Sequence, residues 1–248
     1  VSLLKEEDLM QPLHQGFKLM MRRTSLDDDL KQANYQVIPP QLISDAQSNK
    51  DISTLFKPVG LSVKLYIIKA YFPKTYSIIN EHYKSVFPFI HQIDVKEIKD
   101  FEENYSVLGE VGKIPVFCIK EKNVKNWIPI HELSSGMKKV LQILTDVSTL
   151  PTGAIYLLDE YENSLGINAI DFFPSFLSET AETNQFFITS HHPYLINNIP
   201  PQNWYVFHRT GSEVKIKHGQ EYVERFGKSR QQLFVQLIND PFYTEGIE

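Results

Sequence analysis

The sequence has little of several things that would settle a class at once. It has a single cysteine, Cys118, so no internal disulfide is possible and a reducing, cytoplasmic setting is expected. No uninterrupted apolar stretch approaches the ~20 residues that span a bilayer, and no signal peptide is visible, so no membrane partner is expected. There is no excess of basic charge. The net charge is -5 and the pI about 5.9, so the average charge gives no support for nucleic-acid binding, although a local basic stripe would still permit it. No internal repeat, low-complexity segment or HExxH metal motif is present. What remains is ordinary globular composition, 42% hydrophobic and 22% charged over 248 residues.

The first part of the chain is weakly patterned. Leu9, Leu13, Phe17 and Met20 fall at helical spacing, so residues 1–29 read as helical and polar, and the short acidic run Asp27-Asp28-Asp29 reads as a solvated helix start or turn in preference to a metal site. Residues 31–62, with Pro39-Pro40 and Pro58-Val59-Gly60, read as a loop-rich insertion. A helix is expected around Ser77–Phe87, and a hairpin from Ile114–Lys120 and Trp127–His131 joined by Glu121–Lys125. Cys118 lies in an apolar run and reads as a core residue.

After His131 the pattern sharpens. Met137, Val140, Leu141, Leu144 and Val147 trace an amphipathic helix. Ala154–Leu158 and Phe186–Thr189 read as short buried strands, with a helix near Asp171–Thr180 between them. In that helix Pro174 is tolerable only within the first turn. Trp204–His208 and Val214–Lys217 read as a pair turning at Thr210-Gly211-Ser212, followed by a helix marked by Leu233, Phe234, Leu237 and Ile238. Strands alternating with helices argue for an α/β fold with a mostly parallel sheet flanked by helices. The expected division is a helical and loop-rich arm over 1–92 and a core over 93–248.

Three segments carry chemistry. Leu133-Ser134-Ser135-Gly136-Met137 opens the amphipathic helix, where a serine caps free amides and an anion is favoured. Lys138 and Lys139 occupy its first turn, where positive charge is disfavoured unless a phosphate offsets it. An ordinary N-cap with two solvated lysines fits the same residues. Ile155–Leu158 runs into Asp159-Glu160, which places two carboxylates at the ligand edge of an α/β sheet. There Asp159 can hold magnesium and Glu160 can polarise a water. A strand ending in a polar turn fits these residues equally well. Phe186–Thr189 runs into Ser190-His191-His192-Pro193, where a histidine can meet a γ-phosphate or stay structural.

Taken in order, these segments resemble an ATP-hydrolysing family. Leu133–Met137 is similar to the ABC signature sequence and Ile155–Glu160 to a Walker B strand. Glu162-Asn163-Ser164-Leu165 is similar to a D-loop, and Ser190–Leu195 to a switch-histidine segment. The set resembles the RecF/OLD-like branch of ABC ATPases, the group often labelled AAA_21 or AAA_15, over about residues 127–210. The resemblance implies ATP and Mg2+ as cofactors and a homodimer or higher oligomer with shared ATP sites. It implies that Ser134, Ser135 and Gly136 serve a nucleotide held mainly by a partner subunit. Asp159 would serve the metal, Glu160 would be the catalytic carboxylate, and Asn163 and Ser164 would communicate across the dimer. His191 would be the switch histidine and His192 the variable position. In this branch hydrolysis works a switch on DNA or on an effector nuclease or toxin, as in anti-phage systems of the Septu, retron or PARIS type. A DNA-repair ATPase of the RecF/SMC type and a non-hydrolysing nucleotide-binding scaffold are the alternatives, with a transporter subunit a weaker fourth.

The family's Walker A loop, G-x-x-x-x-G-K-[ST], is not found. Gly112-Lys113 is followed by Ile114, and Gly227-Lys228-Ser229 lacks the earlier glycine and lies after the switch segment. The chain starts at Val1 rather than Met, so the expectation is that Walker A lies upstream or on another chain. Met137 and Gly166 depart from the usual residues of the signature and D-loop. Gln47 and Gln92 are candidates for the Q-loop glutamine.

Overall fold

The computed structural model describes residues 16–23, 36–49, 51–55, 59–101, 113–227 and 229–245. Leu9, Leu13, the Asp27–Asp29 run, Gly112 and Lys228 lie outside the described residues. The chain divides into two compact units, one ending at Thr189 and one starting at Ser190. This is a different division from the expected one at 92/93.

The first unit is built on a three-stranded parallel sheet. Its strands are β1 (Met20–Arg23), β5 (Ile155–Leu158) and β6 (Gln185–Ile188), in the order β1-β5-β6. Arg22 pairs with Leu157, and Leu157 with Phe187. β1 corrects the expectation of a helix through Met20: among the described residues helix is present at 16–18, and the strand begins at Met20. Met20–Arg23 is too short for its side chains to reveal a period, and the pairing with β5 decides its conformation. This strand comes from the expected arm, yet it completes the sheet of the expected core. β6 is less buried than expected, because it is the outer strand of the described sheet. Phe187 is exposed while Phe186 faces inward against Tyr156.

Helix α1 (Pro40–Asn49) and a 3-10 turn at Ile52–Leu55 stand where a loop was expected. Pro40 occupies the first helical position, where its missing N–H costs nothing. Helices α2 (Leu61–Tyr71) and α3 (Pro73–Val86) follow, with Pro73 again at the start. Strands β2 (Ile90–Glu97), β3 (Pro115–Glu121) and β4 (Ile128–Pro129) form an antiparallel sheet in that order. The expected hairpin is present as β3 and β4. Its second strand is shorter than Trp127–His131, because a 3-10 turn takes over at Ile130. Cys118 is buried in β3, and desolvation pushes its thiol up to about 12.

Helix α4 (Ser135–Val147) buries Val140, Leu141, Ile143, Leu144 and Val147. Helix α5 (Ile167–Thr180) starts earlier than expected, so Pro174 lies in its interior rather than in its first turn. The carbonyl of Ile170, four residues back, therefore lacks its usual amide donor. The buried hydroxyl of Tyr161 donates to that oxygen at 3.0 Å and to the Ala169 oxygen at 3.2 Å. This satisfies the carbonyl and lets the helix continue through the proline.

Beneath the sheet, Asp146 of α4 is the acceptor of a buried charge cluster. It takes two bonds from the Arg23 guanidinium, at 2.7 and 3.1 Å, and one from the Lys64 ammonium at 3.2 Å. The Tyr156 hydroxyl adds a contact at 3.4 Å. Strand β1, helices α2 and α4, and strand β5 are thus joined at one carboxylate.

The second unit contains α6 (Pro193–Asn198), the antiparallel pair β7 (Tyr205–Thr210) and β8 (Glu213–His218), and helices α7 (Gly219–Phe226), α8 (Arg230–Ile238) and α9 (Pro241–Thr244). Trp204, Val206, Tyr222, Leu233 and Leu237 form its core. The expected strand pair is present, with Gly211 (φ 59) in the turn, and the helix expected around residues 233–238 is α8, which is followed by α9; α6, α7 and α9 were not expected. The fold is α/β, with a parallel sheet flanked by helices and a helix-rich N-terminal region, as expected. Among the described residues no helix is long and apolar enough to cross a membrane.

Candidate functional site

β5 ends at Leu158, and the chain leaves the sheet through Asp159 and Glu160. The parallel ladder holds this exit. The Asp159 amide donates to the Arg23 carbonyl at 2.9 Å on one side, and the Thr189 amide donates to the Leu158 carbonyl at 3.0 Å on the other. Both carboxylates are thereby fixed at the C-terminal edge of the sheet, the ligand-binding edge of α/β folds.

The Thr189 hydroxyl organises the pair. It donates to Asp159 Oδ1 at 2.7 Å and accepts from the Glu160 amide at 2.8 Å. The Arg22 guanidinium donates to Asp159 Oδ2 at 3.3 Å. The Thr189 bond first, and then Arg22, hold the Asp159 carboxyl below its ordinary range. Asp159 therefore presents an ionised, partly exposed carboxylate, 41% accessible at its side chain. Neither Arg22 nor Thr189 was assigned a role by sequence reasoning. Arg22 is 137 residues from Asp159, and no local pattern links them.

The turn after Asp159 is strained. Glu160 (φ 47) and Ser164 (φ 65) both adopt the left-handed conformation. Each such residue costs on the order of 1–2 kcal/mol outside glycine. Local bonds hold the turn. The Asn163 amide donates to the Glu160 carbonyl at 3.0 Å, and the Asn163 side chain donates to Glu160 Oε2 at 3.1 Å. The Ser164 hydroxyl donates to Asn163 Oδ1 at 3.2 Å. Glu160, Asn163 and Ser164 are all exposed. The structure therefore brings the expected Walker B and D-loop residues into one short, bonded turn.

The signature segment begins α4 as expected. The Ser134 hydroxyl accepts from the Met137 amide at 3.2 Å, and Ser134 and Ser135 are exposed. Gly136 packs against the turn: a Cβ there would lie 2.3 Å from the Ser164 carbonyl oxygen. Both lysines have backbone partners. Lys138 donates to the His131 carbonyl at 3.1 Å, and burial lowers its pKa. Lys139 is buried and donates to the Glu160 and Asn163 carbonyls, each at 2.9 Å. These backbone carbonyls help offset the cost of cations in the first turn.

In the second unit the two histidines differ. His192 Nδ1 accepts from the Tyr194 amide at 3.2 Å, so it caps α6. His191 is exposed. Gln47 donates to the Tyr71 hydroxyl at 3.1 Å, between α1 and α2, and Gln92 lies on β2 opposite Lys120.

Among the described residues no group of three or more His, Cys, Asp or Glu side chains is placed to hold a metal. A single ionised carboxylate still suits Mg2+, which keeps several waters and binds through one or two carboxylates plus phosphate oxygens. Asp159 fits that role. The exposed start of α4 offers the free amides of a helix N-terminus, which suit a phosphate.

No curated protein matches the chain. Among the solved structures similar over part of it are three of SMC type. One is described as "Structural biochemistry of ATP-driven dimerization and DNA stimulated activation of SMC ATPases", at 13% identity and TM-score 0.44, covering 65% of this chain and 96% of that one. A second is an SmcHead bound to the C-winged helix domain of ScpA, at 12% identity and TM-score 0.46, covering 78% and 58%. A third is an Smc head domain with an extended coiled coil bound to the C-terminal domain of ScpA, from Pyrococcus furiosus, at 15% identity and TM-score 0.45, covering 65% and 39%. The chain thus spans less than two thirds of the length of the latter two. Residues 22–197, more than half of the chain, match one family, and the chain belongs to it: the AAA domain family described as putative AbiEii toxin, Type IV TA system.

Proposed function

We propose that this protein binds and hydrolyses ATP with Mg2+ at sites shared between two copies. The observation that carries this reading is the Thr189 hydroxyl bridging the Asp159 carboxylate and the Glu160 amide at the end of β5. Family membership supports the same assignment.

Asp159 would hold the metal, which neutralises phosphate charge when bound. Glu160 would orient the attacking water and accept its proton, as a positioned carboxylate does in phosphoryl transfer. Its backbone is left-handed, and the Asn163 side chain donates to one carboxylate oxygen. Ser134, Ser135 and Gly136 would present the start of α4 to a nucleotide held by the second copy. Asn163 and Ser164, exposed on the turn, would face that copy, and His191 would meet the γ-phosphate. The biological context we favour is an anti-phage switch whose nucleotide state controls a nuclease or toxin effector.

The test is Glu160→Gln in the full-length protein. Turnover should fall by about a hundredfold or more, the range of a lost general base. ATP binding should persist, and size-exclusion chromatography with Mg-ATP should show a trapped dimer. Equal hydrolysis by both proteins would defeat the assignment of Glu160. ATP binding without turnover in the unmutated protein would favour the scaffold reading.

A further inference from the structure

We propose that Lys139 is a positioning residue that ties the signature end of α4 to the turn carrying Glu160, so that what binds at Ser134–Gly136 is felt at the catalytic carboxylate. The proposal rests on the ATPase reading above and adds a coupling element to it.

The geometry is specific. The Lys139 side chain is buried, 8% exposed, and its ammonium donates to two carbonyls of one five-residue turn, those of Glu160 and Asn163, at 2.9 Å each. Bonds from an ionised donor are roughly twice as strong as neutral ones. The turn needs such support, since two of its residues, Glu160 and Ser164, hold left-handed backbone conformations. Gly136, three residues before Lys139 and on the same helix face, meets the Ser164 carbonyl. The first turn of α4 therefore touches this turn near both ends, by close packing at residue 136 and by charge at residue 139.

The linkage reaches the reacting group. Asn163, whose carbonyl Lys139 grips, donates through its side chain to Glu160 Oε2. A small shift of the start of α4 would move Lys139, and with it Glu160 and Asn163 together. Ser134 and Ser135 are exposed on the same helix start, so a phosphate from a second copy would load that end directly. The turn would thereby report occupancy of one nucleotide site to the carboxylate of the other.

The experiment compares Lys139→Met, Lys139→Arg and Gly136→Ala with the unmutated full-length protein. Amide hydrogen exchange over residues 160–165 should speed up about tenfold or more in Lys139→Met, and less in Lys139→Arg, which keeps the charge. ATP turnover should fall about tenfold in Lys139→Met with KM for ATP within about twofold, because the loss is in positioning rather than binding. Lys139→Arg should recover part of that loss. If Lys139→Met does not fold, Gly136→Ala takes its place. It presses the same turn from the other end and should also raise exchange there. Unchanged exchange at 160–165 in the folded variants overturns the proposal, whatever the hydrolysis rates. Failure of the ATPase reading would appear separately, as equal turnover in the unmutated protein and Glu160→Gln.

Discussion

The Thr189 hydroxyl donates to Asp159 Oδ1 at 2.7 Å from the end of the neighbouring parallel strand, and Thr189 Oγ1 accepts from the Glu160 amide at 2.8 Å. One hydroxyl thus sets the ionisation of one carboxylate and the backbone of the next.

Thr189→Val keeps the shape and removes both bonds. It leaves the Glu160 amide without its acceptor, a cost of about 1–3 kcal/mol if water does not replace it. The Asp159 carboxyl should rise towards its ordinary value, which carboxyl-carbon NMR titration reads. The sign of the pH effect follows from the depressed native value. Asp159 contributes stability above the unfolded carboxylate pKa and loses it as pH falls through the folded value. The stability gap between the two proteins should therefore narrow in acid. A gap constant across that range would remove the Thr189 bond as the cause.

Arg22→Gln tests the cation beside Asp159, the proposed metal ligand. Arg22 and Asp159 form a largely exposed pair, so their interaction is worth at most about 1 kcal/mol, or about fivefold in binding. Removing Arg22 should lower the half-saturating Mg2+ concentration by up to that factor, measured by calorimetry. The difference should shrink as salt is raised. Weaker Mg2+ binding in the variant would show that Arg22 assists the site instead of competing for Asp159.

Tyr161→Phe tests how α5 tolerates Pro174. Loss of the hydroxyl leaves the Ile170 carbonyl without this donor and should cost about 1 kcal/mol in chemical denaturation. In a Pro174→Ala background the restored amide can donate to the same oxygen. The cost of Tyr161→Phe should then drop by about 0.5 kcal/mol or more. Equal costs in both backgrounds would assign the hydroxyl's effect to the Ala169 contact alone.

Asp146→Asn tests the buried cluster. It leaves Arg23 and Lys64 around a neutral acceptor, and breaking a buried ion pair typically costs about 3–5 kcal/mol. Unfolding in urea should show that loss. A change below about 1 kcal/mol would mean that water reaches the cluster, as at an exposed pair.

The order of helices and strands from Ser134 to Thr189 was legible in the sequence because its signals are local, whereas α6, α7 and α9 were not read from it. A serine before an i, i+3, i+4 apolar series starts a helix, and Ser134 does cap α4 through the Met137 amide. A short apolar run ending in Asp159-Glu160 marks a strand and its exit, and β5 ends there. The same local reading failed at Met20–Arg23. Four residues carry too little periodicity, and their partner strand lies far along the chain. It also missed the interior position of Pro174, because the donor that makes it tolerable comes from Tyr161 in a separate turn.

The sequence by itself therefore determined which residues cap, which line a strand and where the carboxylates leave the sheet, since those depend on neighbours within a few positions. Only the tertiary structure decided that Thr189 and Arg22 flank Asp159, and that Lys139 binds the Glu160 turn. Those pairings depend on strand register and on how α4 packs against the sheet. Register and packing are set by the whole core at once, and no short segment encodes them.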